Sequence, residues 1–199
     1  MNTRITELLG TRYPILQRAA TAEQAAAVSD AGGLGVLQAQ PTPAALAREI
    51  ARCRQRTKQP FGIHLAMLPS VDTPAYAAYL DAAIDSGVRV LETCGNSPAA
   101  CVEHARRRGL RIVHRCASLR HALAAERRGV DAIRIDDLAL IPQGASALRI
   151  PVIASVRTAD GQSLAAALAL GAEGVHLGDE VPCDEDLIAR MVREFCVEA

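Results

Sequence analysis

The 199-residue sequence has few aromatic residues, no net charge and no long apolar run. It contains no tryptophan, and aromatic residues make up 3% of it, whereas half of its residues are hydrophobic. We therefore expect a globular core built mainly from alanine, valine, leucine and isoleucine. The 22 basic and 22 acidic residues balance, so nothing favours nucleic acid or an anionic membrane as a partner.

Other absences concern the compartment of the protein. No window approaches the ~18 consecutive apolar residues of a membrane span, and the first ten residues lack the apolar segment of a signal peptide. The six cysteines form no CxxC pair and no short disulfide framework. Together these absences predict a soluble, cytoplasmic protein with reduced thiols.

A short apolar run that ends in a polar residue recurs eight times along the chain, and Ala-rich stretches with helical spacing separate the runs. The polar residues are Gln17, Gln38, His64, Glu92, His114, Arg134, Ser155 and His176. Eight strand–helix repeats predict a (β/α)8 TIM barrel, in which sites lie at the C-terminal ends of the strands. We therefore expect these polar residues to meet at one mouth. Because ~200 residues is the lower limit for this fold, the length predicts one compact domain over residues 1–199 with short loops.

Capping residues and glycines indicate where the helices lie. Helices are predicted over 21–31, 43–58, 73–86, 99–109, 118–129, 161–170 and 184–197, with Asp184 or Cys183 capping the last. Only Asp137 to Arg149 separate the sixth and seventh strands, and Pro142 and Gly144 interrupt this stretch. A short or irregular helix is expected there.

Several segments carry a family resemblance that covers almost the whole chain. They are Thr3–Gly10, Tyr13–Gln17, Ala22–Gly35, Lys58–Gly62 and Ala159–Gly178. The chain resembles the nitronate monooxygenase (2-nitropropane dioxygenase-like) family of FMN-dependent barrels, relatives of flavin-containing enoyl-ACP reductases. The resemblance implies an oxidoreductase that uses FMN and acts on a small molecule at the C-terminal mouth.

The sequence departs from this family at positions that touch flavin. After Gln17 the family's Gly-Gly-Met turn is shortened, and Asp136 begins a segment that lacks the family's glycines and catalytic histidine. Val156 and Arg157 replace a Gly-Gly pair whose amides hold the FMN phosphate. Asp179 follows Gly178 where the family has threonine, and a carboxylate repels a phosphate. These departures predict a largely altered FMN site.

The candidate cofactor contacts are Gln17, Ser155, Arg157, Thr158 and Gly178. Ser155, Arg157 and Thr158 precede a helix N-terminus, which can hold a phosphate or carboxylate. Arg157 pairs either with such an anion or with Asp179.

A ring of three histidines and a carboxylate forms the candidate catalytic site: His64, Glu92, His114 and His176. The resemblance places His64 and His176 where the family has an asparagine and a glutamine that face the flavin. Imidazole and carboxylate ligands also suit a divalent metal, and a hydrogen-bonded network or small-ligand pocket is the alternative. His64 or His114 is the candidate base.

Three other residues have two readings each. Cys94 and Cys116 are either thiolate nucleophiles or buried small residues. Arg134 points away from Ile133 and Ile135, so it either pairs inside the barrel with Glu92 or Asp136 or binds an anionic substrate.

Three functions remain open from the sequence. The first is an FMN-dependent oxidoreductase acting on a nitronate or related carbon acid. The second is a flavin-independent acid–base enzyme, with a divalent metal or with no cofactor. The third is a non-catalytic binding descendant. The short loops leave the mouth either open or closed by a second subunit of a homo-oligomer, and the sequence does not identify the substrate.

Overall fold

The computed structural model describes residues 1–67, 73–178, 181 and 186–198. In these residues eight parallel strands close into a barrel in chain order, with β8 beside β1. The strands are β1 (Ile15–Ala19), β2 (Leu34–Gln38), β3 (Phe61–Met67), β4 (Val90–Gly95), β5 (Arg111–Cys116), β6 (Ala132–Ile135), β7 (Val152–Val156) and β8 (Gly174–Leu177). The helices are α1 (Arg4–Leu9), α2 (Ala22–Asp30), α3 (Pro43–Arg56), α4 (Thr73–Asp85), α5 (Ala99–Arg107), α6 (Leu119–Arg128), α7 (Ile141–Ala147), α8 (Gly161–Ala169) and α9 (Leu187–Glu198). This architecture confirms the predicted TIM barrel.

Side-chain caps begin several helices where the sequence predicts them. The hydroxyls of Thr21, Thr42 and Ser118 each accept a hydrogen bond from the backbone N–H three residues further on, at the start of α2, α3 and α6. The connection between β6 and β7 is irregular, because a 3₁₀ turn over Leu138–Leu140 leads into the short α7. The predicted short helix is therefore confirmed.

The last helix begins later than the sequence predicts, at Leu187. Its predicted caps, Asp184 and Cys183, lie outside the described residues. Within the described part of the chain, no helix combines the length and the apolar character that a bilayer crossing requires.

Helix α1 closes the N-terminal end of the barrel and was not predicted. Thr3 and Thr6 form a capping box at its start. Ile5 and Leu9 are buried among the inward-facing side chains of the strands, such as Leu16. The barrel interior below the mouth is therefore a packed aliphatic core rather than a channel.

Two apolar layers surround the sheet, one inside the barrel and one between the strands and the helices. The inner layer contains aliphatic residues such as Val36, Val90 and Val113. The outer layer contains most of the buried apolar residues. Because successive strand residues face opposite sides, each strand contributes to both layers. A polar side chain on a strand reaches the mouth only if it stands at one of the alternate positions whose side chains point into the barrel. We call these positions the inward phase of the strand.

Gly35 shows how closely the helices approach the sheet. A Cβ atom at Gly35 would lie 2.1 Å from the backbone oxygen of Ala25 on α2, whereas one at Gly62 on β3 would lie 3.2 Å from its nearest neighbour. We expect Gly35→Ala to lower the free energy of unfolding by about 1–3 kcal/mol, because the backbone of α2 at Ala25 must move away to make room for the added methyl group. Urea unfolding measures this loss, and Gly62→Ala is the control with a smaller effect. Equal losses in the two variants would contradict the close approach.

Candidate active site at the barrel mouth

Five polar side chains meet inside the barrel near its C-terminal end: Arg18 on β1, His64 on β3, Glu92 on β4, Arg134 on β6 and His176 on β8. His64 lies beside Glu92 in the strand register, and Nε2 of His176 lies 3.2 Å from Oε1 of Glu92. Glu92 is 1% exposed and His176 is fully buried. The structure thus brings His64, Glu92 and His176 together, as the sequence suggested for these three.

Arg134 is the main counter-ion of Glu92. Its Nη1 donates to Oε1 of Glu92 at 2.7 Å, and its Nε donates to Oγ of Ser155 at 2.8 Å. Arg18 adds a second positive charge, with its Nε 3.9 Å from Oε2 of Glu92. Of the two readings that the sequence left for Arg134, the structure shows the ion pair inside the barrel.

The network continues from Ser155 to the rim of the mouth. Oγ of Ser155 donates to Oδ1 of Asp136 at 2.7 Å, and Nε of Arg115 donates to Oδ2 of Asp136 at 2.6 Å. The mouth therefore contains the three arginines Arg18, Arg115 and Arg134 against the two carboxylates of Glu92 and Asp136. The described side chains of the mouth thus include one more arginine than carboxylate, a balance that favours an anionic ligand.

Burial and the neighbouring charges set the protonation of this cluster. Burial raises the pKa of Glu92, but His176 and Arg134 outweigh this effect and hold that pKa well below its usual range. Burial lowers the pKa of His64 to about 4, and the charges of Arg18 and Arg134 add to this, while Glu92 opposes it. Near pH 7, Glu92 is therefore ionised and His64 is a neutral imidazole that can accept a proton.

Several polar atoms of the cluster have no hydrogen-bond partner among the described residues. They are both ring nitrogens of His64, both ring nitrogens of His176 and Oε2 of Glu92. The contact between His176 and Glu92 is close, but its alignment is not that of a hydrogen bond. A buried polar atom without a partner costs roughly 1–3 kcal/mol. These atoms therefore point to a polar ligand or ordered water at the mouth.

His114 lies on the other side of the sheet. It pairs in register with Thr93, the neighbour of Glu92 that faces outward, and its Nδ1 lies 2.8 Å from Oγ1 of Thr93. Burial between the sheet and the helices lowers the pKa of His114 to about 4. The prediction that His114 joins the other three residues at the mouth is wrong, because His114 is one residue out of phase with them.

The predicted metal site does not form either. Its four expected ligands were His64, Glu92, His114 and His176, of which His114 faces outward and Glu92 is bound by Arg134. Across residues 1–67, 73–178, 181 and 186–198, no group of three or more His, Cys, Asp or Glu side chains could hold a metal ion.

Gln17 also faces away from the mouth. It pairs in register with Leu177 of β8, and its Nε2 donates to the backbone oxygen of Val181 at 2.9 Å. Gln17 therefore ties β1 to the segment after β8. The prediction that its side chain reaches the mouth is wrong for the same reason of phase.

Cys94 and Cys116 end neighbouring strands on opposite faces of the sheet. Cys94 shares the inward phase of Glu92, and burial together with the charge of Glu92 raises the pKa of its thiol. Cys116 shares the outward phase of His114, and burial raises the pKa of its thiol to about 12. Both pKa shifts disfavour a thiolate, which favours the reading as small packed residues, with Cys116 buried and Cys94 half-buried.

The helix N-terminus after β7 is occupied by two carboxylates of the chain itself. Asp160 accepts a hydrogen bond from the N–H of Ser163 at 2.7 Å, and Glu194 on α9 accepts one from the N–H of Gly161 at 2.9 Å. A phosphate bound at this helix start would compete with both carboxylates for these amides and would lie beside two negative charges. The start of α8 therefore does not fit the phosphate of FMN.

The other predicted cofactor contacts either form hydrogen bonds within the chain or are exposed. Ser155 binds Arg134 and Asp136, Oγ1 of Thr158 contacts Oγ of Ser163, and the N–H of Gly178 donates to Val156 at 2.9 Å. Arg157 is exposed. Asp179, the expected source of repulsion, lies outside the described residues.

Sequence reasoning missed Arg18 and Arg115 as residues of the mouth. Arg18 lies between the outward-facing Gln17 and Ala19, and Arg115 lies between His114 and Cys116. The alternation that identified Arg134 would have identified both, once the inward phase of each strand was known.

Comparisons with known proteins agree with this architecture. Residues 2–136 match the family model described as nitronate monooxygenase. A probable nitronate monooxygenase of Staphylococcus saprophyticus is 26% identical over 89% of this chain and 67% of its own length. A hydroxy-methyl-oxo-octahydroindene-carboxyl-CoA dehydrogenase of Rhodococcus jostii is 29% identical over 89% of this chain and 54% of its own length.

Solved structures agree as well. FabK from Thermotoga maritima superposes with a TM-score of 0.82 at 32% identity, over 89% of this chain and 61% of its own. A nitroalkane oxidase from Streptomyces ansochromogenes superposes with a TM-score of 0.76 at 26% identity, over 87% of this chain and 66% of its own. The chain thus spans 54% to 67% of the length of these relatives. A monooxygenase, a dehydrogenase and an oxidase are among them, which supports an oxidoreductase. From its sequence match and its barrel, the chain belongs to the nitronate monooxygenase family.

Proposed function

We propose that this chain, whose relatives include oxidoreductases, acts on a small carbon acid at the barrel mouth, where His64 removes a proton from the substrate. One observation carries the proposal. His64 is buried and neutral near pH 7, and neither of its ring nitrogens has a hydrogen-bond partner among the described residues. A general base must be unprotonated and have a free nitrogen for the incoming proton.

The charges around His64 suit the product of this step. When the C–H bond breaks, its electron pair moves onto the oxygen atoms of a neighbouring nitro or carbonyl group, and the proton goes to His64. Arg18 and Arg134 supply positive charge for the resulting anion. Glu92 accepts a hydrogen bond from Arg134 and so orients that side chain, and it also contacts His176.

We also propose that FMN is not held at the start of α8 in the way the resemblance implies. The carboxylates of Asp160 and Glu194 on the α8 amides support this proposal. No oxidation step is therefore assigned to a flavin here. The flavin-independent alternative uses the same proton transfer by His64 and returns the proton to the substrate.

Deuterium exchange into nitroethane tests the role of His64. We expect the wild-type protein to catalyse exchange at the acidic carbon in D₂O, followed by NMR, and His64→Gln to lose about 100-fold or more of this rate. His104→Gln is the matched control, because His104 lies on α5 and pairs with Asp81 instead. Undiminished exchange in folded His64→Gln would refute the assignment.

An absorbance spectrum, an FMN titration and elemental analysis of the same sample test the cofactor proposal. We expect no flavin bands and no saturable binding of FMN at micromolar concentrations, because the α8 amides are already bound. Flavin bands or micromolar binding would overturn this part and favour an FMN-dependent oxidoreductase. Bound metal would reveal a site that the described residues do not form.

A further inference from the structure

A cavity lies between the β4–α5 loop, the end of β5 and helix α6. Its volume is about 550 Å³, within the range of about 300–1,000 Å³ that is typical of small-molecule sites. The strand side chains that line it include His114 and Cys116, which face away from the mouth. Arg115, which also belongs to the hydrogen-bond network of the mouth, lines the cavity as well, so the cavity adjoins the rim of the mouth.

The described lining of this cavity is positively charged. Arg115 and Arg128 line it together with His114 and His121, and none of the described lining residues is acidic. Arg115 is neutralised by Asp136. Arg128 forms no ion pair with any described residue. An anionic group is therefore the complement that this lining favours.

His114 supplies a fixed hydrogen-bonding group in the wall. Its Nδ1 is held by Oγ1 of Thr93 at 2.8 Å, and the residue is 5% exposed. Nε2 is then the ring nitrogen left for a ligand. An imidazole oriented by a neighbouring hydroxyl is the kind of preorganised group that small-molecule sites use.

Apart from the polar Asn96 and Ser97, the rest of the lining is apolar or small. Pro98, Cys116, Ala124 and Ala125 contribute this surface. A few polar groups beside an apolar wall bind molecules that carry one charged end on an apolar body.

We propose that this cavity is a second binding site, which takes a small organic anion, either a carboxylate or a phosphate monoester, with an apolar body. The anionic end contacts Arg128 and Nε2 of His114, and the apolar body packs against Pro98 and Ala124. The proposal does not depend on the proton transfer proposed for His64, because His64 does not line this cavity.

Imidazole NMR tests this proposal directly, because the chain has five histidines. Phenyl phosphate and benzoate are the two anionic probes, and phenol is the neutral control with the same ring. We expect the signals of His114 and His121 to shift saturably with at least one anionic probe, while the signal of His104 stays in place. The tighter of the two probes identifies phosphate or carboxylate as the preferred group.

Variants of α6 make the test specific. Arg128→Gln is expected to weaken binding about tenfold or more, because it removes a charge-assisted contact. Arg127→Gln is the matched control, since Arg127 is the exposed neighbour on the same helix and does not line the cavity. Ala124→Leu fills the cavity and should abolish binding in a folded protein.

Three outcomes would overturn the second site: no saturable shift at His114 and His121 with either anion, equal binding of phenol, or equal losses in Arg127→Gln and Arg128→Gln. His64→Gln should bind the probe as the wild type does. Failure of the second site is therefore distinguishable from failure of the catalytic assignment at the mouth.

Discussion

Replacing Arg134 with methionine is expected to lower the free energy of unfolding by about 3–5 kcal/mol, because it leaves an ionised carboxylate buried without its main partner. The side chains of Arg134 and Glu92 are 7% and 1% exposed, and their charged atoms lie 2.7 Å apart. Arg18 is farther from the carboxylate, at 3.9 Å, and cannot replace this hydrogen bond. Urea unfolding followed by circular dichroism measures the loss.

Two further variants test whether the buried charge of Glu92 causes this loss of stability. Arg107 and its partner Glu103 are both largely exposed. Arg107→Met should therefore change the free energy of unfolding by less than about 1 kcal/mol. The double variant Arg134→Met with Glu92→Gln removes the buried charge and should recover much of the loss. If the double variant is less stable than Arg134→Met alone, the uncompensated charge of Glu92 is not the cause.

Lowering the pH from about 6.5 to about 4 is expected to destabilise the fold strongly. Burial lowers the pKa of His64 and of His114 to about 4, whereas both are protonated in the unfolded chain near the ordinary histidine pKa of 6.5. Between these values the unfolded state binds more protons, so the free energy of unfolding falls as the pH falls. Each histidine contributes about 3 kcal/mol over this range, at 1.36 kcal/mol for each pKa unit.

Denaturant unfolding at a series of pH values checks this prediction. The double variant His64→Gln with His114→Gln should lose most of the slope between pH 6.5 and pH 4, and each single variant about half of it. His64 faces the charges of Glu92, Arg18 and Arg134, whereas His114 faces His121. An unchanged slope in the double variant would show that other groups cause the acid sensitivity.

Much of the fold could be predicted because the signals are local. The hydroxyls of Thr21, Thr42 and Ser118 satisfy amide groups of the turn that follows them, so each helix start depends on only a few residues. The helix α1 was missed, although Thr3 and Thr6 cap it. It is short, and its stability comes from packing against the barrel interior, which no local pattern reveals.

The mouth was predicted only in part, for a physical reason. A parallel strand in a barrel is buried on both faces, so its sequence is apolar in both phases and does not show which phase points inward. The runs that end in His64 and in His114 look alike, yet the first faces the mouth and the second faces α6.

By itself, the sequence determined the eight strand–helix repeats, most helix ends, the family resemblance and the need of Arg134 for a partner, because these depend on local spacing and on the cost of burying a charge. The tertiary structure alone decided which residues share the mouth. Closure of the barrel fixes the register of each strand against its neighbours, and a difference of one residue moves a side chain to the other face of the sheet. This alternation is the reason that His176 contacts Glu92 inside the barrel, whereas His114 contacts Thr93 on the outer face of the sheet.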